Sequence, residues 1–207
     1  MDASKRSAGV GLIAYGIGTA VAFMSSGSPG GDYSDRMVAD YVAPGHAVPA
    51  FLLAYLGAFA AVGLLVFARW ARTLLPSRGE LFWALAVAAA TAGVIGWFLV
   101  GGVAVAFAEG GGLAAVPHQT VYLITEISNL VAVCASSFLA GIAAIVLAAT
   151  APLPAWLRVA TGIAGVCGIL GPTFFPIFLF WIWTLVAGAW ALATTRTSVV
   201  APARAMA

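Results

Sequence analysis

The sequence predicts an all-α fold: a polytopic transmembrane bundle of six helices, both termini inside, with a short amphipathic external helix. Three observations predict it. Hydrophobic residues fill 63% of the 207 positions against 8% charged, and mean hydropathy is +1.06, outside the usual mix of a soluble domain. The nine basic and seven acidic side chains fall in short patches separated by long uncharged stretches. Each stretch holds at least the ~20 apolar residues that one spanning helix needs. The expected spans are 8–26, 47–70, 81–103, 119–149, 154–171 and 174–195 in a single domain 1–207, with external segments at 27–46 and 104–118.

The first span lies between Arg6 and Asp32, and Gly9, Gly11, Gly16 and Gly18 make it slender. Lys5 and Arg6, an apolar run and then Ala20-Val21-Ala22 also match a signal peptide with an A-x-A site. Cleavage there would leave five spans and an external N-terminus; a retained helix is expected. The GxG spacing follows no strand, so it does not indicate dinucleotide binding.

After the breaker cluster SSGSPGG comes DYSDRMVADYVAPGH. Asp32 and Asp35 resemble a helix start, and Pro44-Gly45 ends the segment. Tyr33, Met37, Val38 and Tyr41 recur at helical spacing, while Arg36 and Asp40 form an i, i+4 pair. The segment reads as an amphipathic helix anchored at the outer interface. Asp35, Arg36 and Asp40 are the alternative: an external surface for a partner, or part of a lid.

The second span begins at His46, and the third carries Ala92 and Gly96 at small-xxx-small spacing. The fourth lies between Pro117 and Pro152, longer than a bilayer requires. The last uncharged stretch, between Arg158 and Arg196, holds 37 residues and is divided by Gly171, Pro172 and Pro176. Its first half makes a fifth span that is short for a bilayer, its second a sixth. Gly162, Gly165, Gly168 and Gly171 recur every three residues, a period that turns around a helix instead of tracing one seam. Phe174, Phe175, Phe178, Phe180, Trp181 and Trp183 read as an interfacial aromatic belt.

Orientation follows the basic residues, which are retained on the cytoplasmic side. With the N-terminus inside, Lys5, Arg6, Arg69, Arg72, Arg78, Arg158, Arg196 and Arg204 are all cytoplasmic and only Arg36 is outside. A five-span chain would push Arg196 and Arg204 outward, so the same rule favours the sixth helix. The net charge of +2 reflects this topology and not nucleic-acid binding.

Function is less legible. HQTVYLITEISNL, His118 to Leu130, opens the fourth span with a carboxylate and an amide. At 100° per residue His118, Tyr122, Thr125, Glu126, Asn129, Ser136 and Ser137 share one half of the helix, and Leu123, Ile124, Ile127 and Leu130 the other. Such a stripe serves helix packing. Its functional reading is a ligand or ion pathway through Glu126, Asn129, His118 and Tyr122, because an intramembrane carboxylate is costly. His46 and His118 begin two spans at matching depth and would be the ligands of a haem if one were held.

Cys134 and Cys167 lie inside spans as small apolar residues, with no disulfide or zinc spacing. No metal site and no cofactor is expected, and no Ser-His-Asp, H-E-x-x-H or P-loop arrangement is present. The leading expectation is a non-enzymatic structural, accessory or sensory component of a bacterial plasma membrane. Its expected partners are the lipid bilayer and a protein partner or a second copy, with no nucleic acid. A small proton- or cation-linked transporter or channel using Glu126 is the alternative, and a membrane haem protein or lipid-modifying enzyme the third.

DYSDRMVADYVAPGH running into AVPAFLLAYLGAFAAVGLLVFARWARTLL, then EGGGLAAVPHQTVYLITEISNL, then LPAWLRVATGIAGV before an aromatic span, resembles a broad group of six-helix actinobacterial membrane proteins of the domain-of-unknown-function type. The resemblance covers nearly the whole chain and rests on hydropathy pattern. It implies the bundle and the source, and no activity for any residue. The Ala- and Gly-rich composition is similar to that of high-GC bacteria.

Overall fold

The computed structural model describes residues 2–27, 35–109 and 117–197. Every regular element among them is helical. They are α1 (Asp2–Ser25), α2 (Asp35–Val42), α3 (Ala47–Ala71), α4 (Gly79–Glu109), α5 (His118–Asn129), α6 (Ser136–Thr150), α7 (Ala155–Ile169) and α8 (Phe175–Thr197). A π turn, Leu130–Ala135, joins α5 to α6, so 118–150 is one continuous helical rod. Asp32, Tyr33 and Arg204, which figured in the sequence reading, lie outside the described residues.

Five of these helical stretches are long and apolar enough to cross a membrane: Ala3–Ser25, Pro44–Leu74, Gly79–Glu109, His118–Thr150 and Phe175–Thr194. α7 has only 15 residues, a rise of about 22 Å against a hydrocarbon core of roughly 30 Å. α4 runs to Glu109, so residues 104–109 of the expected external segment are helix. α1 takes in Lys5 and Arg6, ahead of the expected start at residue 8. Large apolar side chains face outward along the rods, Phe59 at 71% and Phe175 at 86% exposure among them. A surface this apolar is compatible with a multi-pass membrane protein.

The helices close into a ring in the order α1, α3, α4, α6, α7, α8 and back to α1, each packed on the next. Leu12, Tyr15, Phe67, Trp97, Phe180 and Trp183 belong to the shared core. α1 and α8 are antiparallel, because Gly9 abuts Gly188 while Gly16 abuts Thr184 and the Trp181 carbonyl. The start of α1 and the end of α8 therefore share one end of the bundle, where Lys5 Nζ stands 4.9 Å over the Trp190 ring. At that same end Arg72 bonds Glu80 at 3.1 Å and lies over Trp83.

Glycine spacing explains how the ring closes. In α1, Gly9 and Gly16 are seven residues apart and face α8; Gly11 and Gly18, also seven apart, face α3. Two helical turns return a residue to the same face, so four glycines serve two seams. A Cβ on Gly11 would lie 2.7 Å from the Gly63 carbonyl oxygen, and one on Gly18 would lie 2.6 Å from the Ala60 Cβ.

The α6–α7 contact departs from the sequence reading. Gly165 and Gly168 both press on α6: a Cβ on Gly168 would meet the Ser137 carbonyl at 2.8 Å and the Gly141 Cα at 2.9 Å. Residues three apart still share a face, so two successive glycines make a seam before the drift carries Gly162 to its edge, where the nearest atom is 3.9 Å away.

The aromatic cluster also divides. Phe175 and Phe178 face outward, but Phe180, Trp181 and Trp183 are buried, and Trp183 Nε1 donates to Thr161 Oγ1 on α7 at 3.0 Å. Half of the expected belt is core, because α8 turns one of its faces onto α1 and α7. Between α7 and α8, Pro172 lies in a 3₁₀ turn, and Phe174 takes a left-handed φ of 63° while stacking on Phe23 at 6.2 Å.

Gly168→Leu is expected to destabilise the purified protein by roughly 1–3 kcal/mol through overpacking. Gly162→Ala, whose Cβ would make only an ordinary contact with Ala148 at 3.9 Å, is expected to be neutral or to stabilise by up to about 1 kcal/mol through helix propensity. Reversible unfolding in mixed micelles, followed by circular dichroism, measures both.

Candidate functional site

The polar segment identified in the sequence becomes α5. Pro117 starts it by accepting backbone bonds from Thr120 and Val121, the usual place for a residue with no N–H of its own. Leu123, Ile124, Ile127 and Leu130 face outward, while Val121, Thr125, Ser128 and Asn129 are buried. His118, Tyr122 and Glu126 are half-buried on the flank between these faces. The carboxylate and the amide thus stand one turn apart, with Asn129 deeper.

Two of the buried polar groups are satisfied within their own helix. Thr125 Oγ1 donates to the Tyr122 carbonyl at 2.9 Å and Ser128 Oγ to the Ile124 carbonyl at 2.9 Å. Asn129 Oδ1 is buried and has no hydrogen-bond partner among the described residues. Thr19 Oγ1 on α1 and Trp181 Nε1 on α8 are in the same condition. A buried polar atom left unpaired costs about 1–3 kcal/mol.

Directly after Asn129 the chain widens into the π turn. Gly96 of α4 lies against the backbone of Ala132 there, with no room for a side chain. The wide turn disturbs the regular carbonyl pairing, and Ser137 Oγ accommodates this by donating to the Val133 carbonyl at 2.7 Å, with the Cys134 carbonyl at 3.2 Å. Cys134 Sγ reaches the Gly171 carbonyl at 3.6 Å. π turns recur at functional sites, and nothing in LVAVCA announces one.

Ser136 ties three helices. Its Oγ donates to the Ala89 carbonyl of α4 at 2.9 Å and takes a side-chain hydrogen bond with Tyr15 of α1. Since the serine proton goes to Ala89, the Tyr15 hydroxyl donates. Ser136 lies on the polar stripe expected of the fourth span, whereas no part was expected of Tyr15 and Thr19. Their signal was available: two polar side chains four residues apart in an otherwise apolar span.

The remaining predicted residues lie at the other end of the bundle from Lys5. Asp35 opens α2, and Arg36 and Asp40 point outward, 3.8 Å apart in an exposed i, i+4 pair. Val38 and Tyr41 are buried with Phe107 of α4 and Val121 of α5, so the helix is a cap on α4 and α5. His46 turns its ring onto Tyr41, centroids 5.0 Å apart, and its Cε1 would lie 2.8 Å from a Cβ on Gly27. Gly27 has a φ of +65°, so a glycine both makes the turn and admits the imidazole. Among the described residues no three His, Cys, Asp or Glu side chains gather where a metal ion would be held.

Comparison with known proteins adds no relative: no family model, no curated protein and no solved structure matches the chain.

Two substitutions separate structural from binding roles. Ser136→Ala should cost about 0.6–1.7 kcal/mol, the range for interhelical hydrogen bonds in membrane bundles. Asn129→Leu removes an unpaired atom, so the empty protein should be no less stable than wild type. Thermal unfolding of both variants in detergent is the check.

Proposed function

We propose that the chain is a six-span protein of a bacterial plasma membrane, with both termini cytoplasmic. Its role is that of a structural, accessory or sensory component that binds a protein partner or lipid at its external end, without catalysis. The observation that carries this reading is the α2 cap. Val38 and Tyr41 fasten it to α4 and α5, while the Arg36–Asp40 pair is held outward at 90% and 76% exposure. An exposed pair of this kind contributes little to stability, which leaves it available for recognition.

Six spans are favoured over five by the return that α7 makes between α6 and α8. α7 lies antiparallel to α6, since Gly141 meets Gly165 and Ser137 meets Gly168 and Gly171. With the 3₁₀ turn Gly171–Thr173 added, the α6-to-α8 return covers most of a bilayer. In this arrangement Lys5, Arg6, Arg69, Arg72, Arg78 and Arg158 sit at one end and Arg36 at the other, as the positive-inside rule requires. Self-association is part of the proposal, through the apolar outer faces.

A second reading has its own support. Glu126 is half-buried and Asn129 Oδ1, one turn deeper, lacks a partner. A carboxylate above an unpaired amide is suited to taking up a proton or a small cation, with His118 and Tyr122 at the entrance.

The two readings are tested separately. A partner recovered with the wild-type protein should be lost from the Arg36→Ala, Asp40→Ala double variant with the fold unchanged; undiminished recovery would remove α2 as the docking surface. In proteoliposomes, Glu126→Gln should abolish proton or cation flux if the second reading holds, and equal flux in the variant would eliminate it.

A further inference from the structure

A groove of about 300 Å³ opens on the outer flank of the bundle, between the first turns of α3 and the last of α4. Ala47, Val48, Phe51, Leu52 and Val105 line it, with Glu109 at the α4 end. Below it Phe51 meets Tyr55 edge-on at 5.2 Å, and Tyr55 meets Phe98 in the same way at 5.2 Å. The apolar wall therefore continues down the side of the bundle, with Phe51, Tyr55 and Phe98 all exposed. The volume is at the lower bound of ligand pockets, which run from roughly 300 to 1,000 Å³, room for a stretch of one alkyl chain.

Among the described residues that line the groove, Glu109 is the charged one. Glu109 is exposed and is the last residue of α4, so its carboxylate adds to the negative end of the helix dipole. That combination attracts a cation and repels an anion. An apolar trough in the flank of a membrane bundle is filled by hydrocarbon from the bilayer, and the charge at its end selects the headgroup.

We infer that the groove is a phospholipid site: one acyl chain lies against Phe51 and Leu52, and the ammonium of an amine-bearing headgroup pairs with Glu109. This deepens the lipid-binding part of the proposed function and rests on its membrane reading. An exposed ion pair is weak, so the expected preference for phosphatidylethanolamine over phosphatidylglycerol with identical chains is about threefold to fivefold.

The test is native mass spectrometry of the full-length protein released from nanodiscs that hold the two lipids in equal amount. One retained lipid with the ethanolamine preference is expected. Glu109→Gln should bring the ratio to unity while occupancy persists, and Leu52→Trp should lower occupancy of both lipids. Both variants alter exposed side chains, and unchanged helical content by circular dichroism verifies their fold. Equal retention by the wild type, a preference for the glycerol headgroup, or a ratio unmoved by Glu109→Gln would overturn the inference. A dimer that Leu52→Trp dissociates would give the groove to a second copy and would overturn it too. Protein that fails to enter nanodiscs at all would instead refute the membrane reading beneath it, a distinct outcome.

Discussion

Close backbone approach at small residues is the constraint on which the rest of this structure depends. Within lipid, helices gain nothing by hiding apolar surface from one another, because the lipid tails are equally apolar. What holds them is contact at short range, and that requires positions without side chains. Here the requirement falls on Gly9 and Gly16 against α8, on Gly11 and Gly18 against α3, and on Gly141, Gly165 and Gly168 between α6 and α7. With these seams drawn tight, the ring of helices leaves an axial core filled by the largest side chains available, Trp97, Phe180 and Trp183 among them.

The polar groups follow from the same geometry. Helices that approach this closely bring hydroxyls within reach of a neighbour's carbonyls, as Ser136 does with Ala89 and Tyr15, and Trp183 with Thr161. Such bonds fix register, because a slide of one turn would leave each donor unpaired in a medium with no water to replace the partner. Against this background the unpaired atoms of Thr19, Asn129 and Trp181 stand out. Asn129 immediately precedes the π turn, the one place where the long fourth rod departs from regular helix, while Thr19 and Trp181 lie on α1 and α8.

Much of the fold was legible in the sequence and rather less of the site. Charge-free stretches located the rods because a charged side chain is too costly to leave in hydrocarbon, and α2 was legible in the spacing of Val38 and Tyr41. Proline placed the break at Gly171–Thr173. Three features were hidden for physical reasons. The expected third span stopped at residue 103, whereas α4 runs on to Glu109, with Gly101 packed against Ala54 of α3 and Phe107 buried against the α2 cap. The burial of Phe180, Trp181 and Trp183 depends on which face α8 turns to α1, a tertiary matter. The π turn packs against Gly96, and that contact with Ala132 joins residues 36 positions apart in the sequence, so no local pattern in LVAVCA displays it. On α5 the outward and inward faces were readable from periodicity, whereas the bonds that leave Asn129 alone were not.

A six-span bundle with both termini inside puts Arg36 and Arg78 on opposite sides of a bilayer. Arg36→Cys and Arg78→Cys, each made alone in a chain whose native Cys134 and Cys167 are buried, would be exposed in intact cells to a maleimide that cannot cross the membrane. The account predicts that the cysteine at position 36 is labelled in intact cells and that the one at 78 is labelled only after lysis. Labelling of position 78 from outside, or of both positions without lysis, would contradict it.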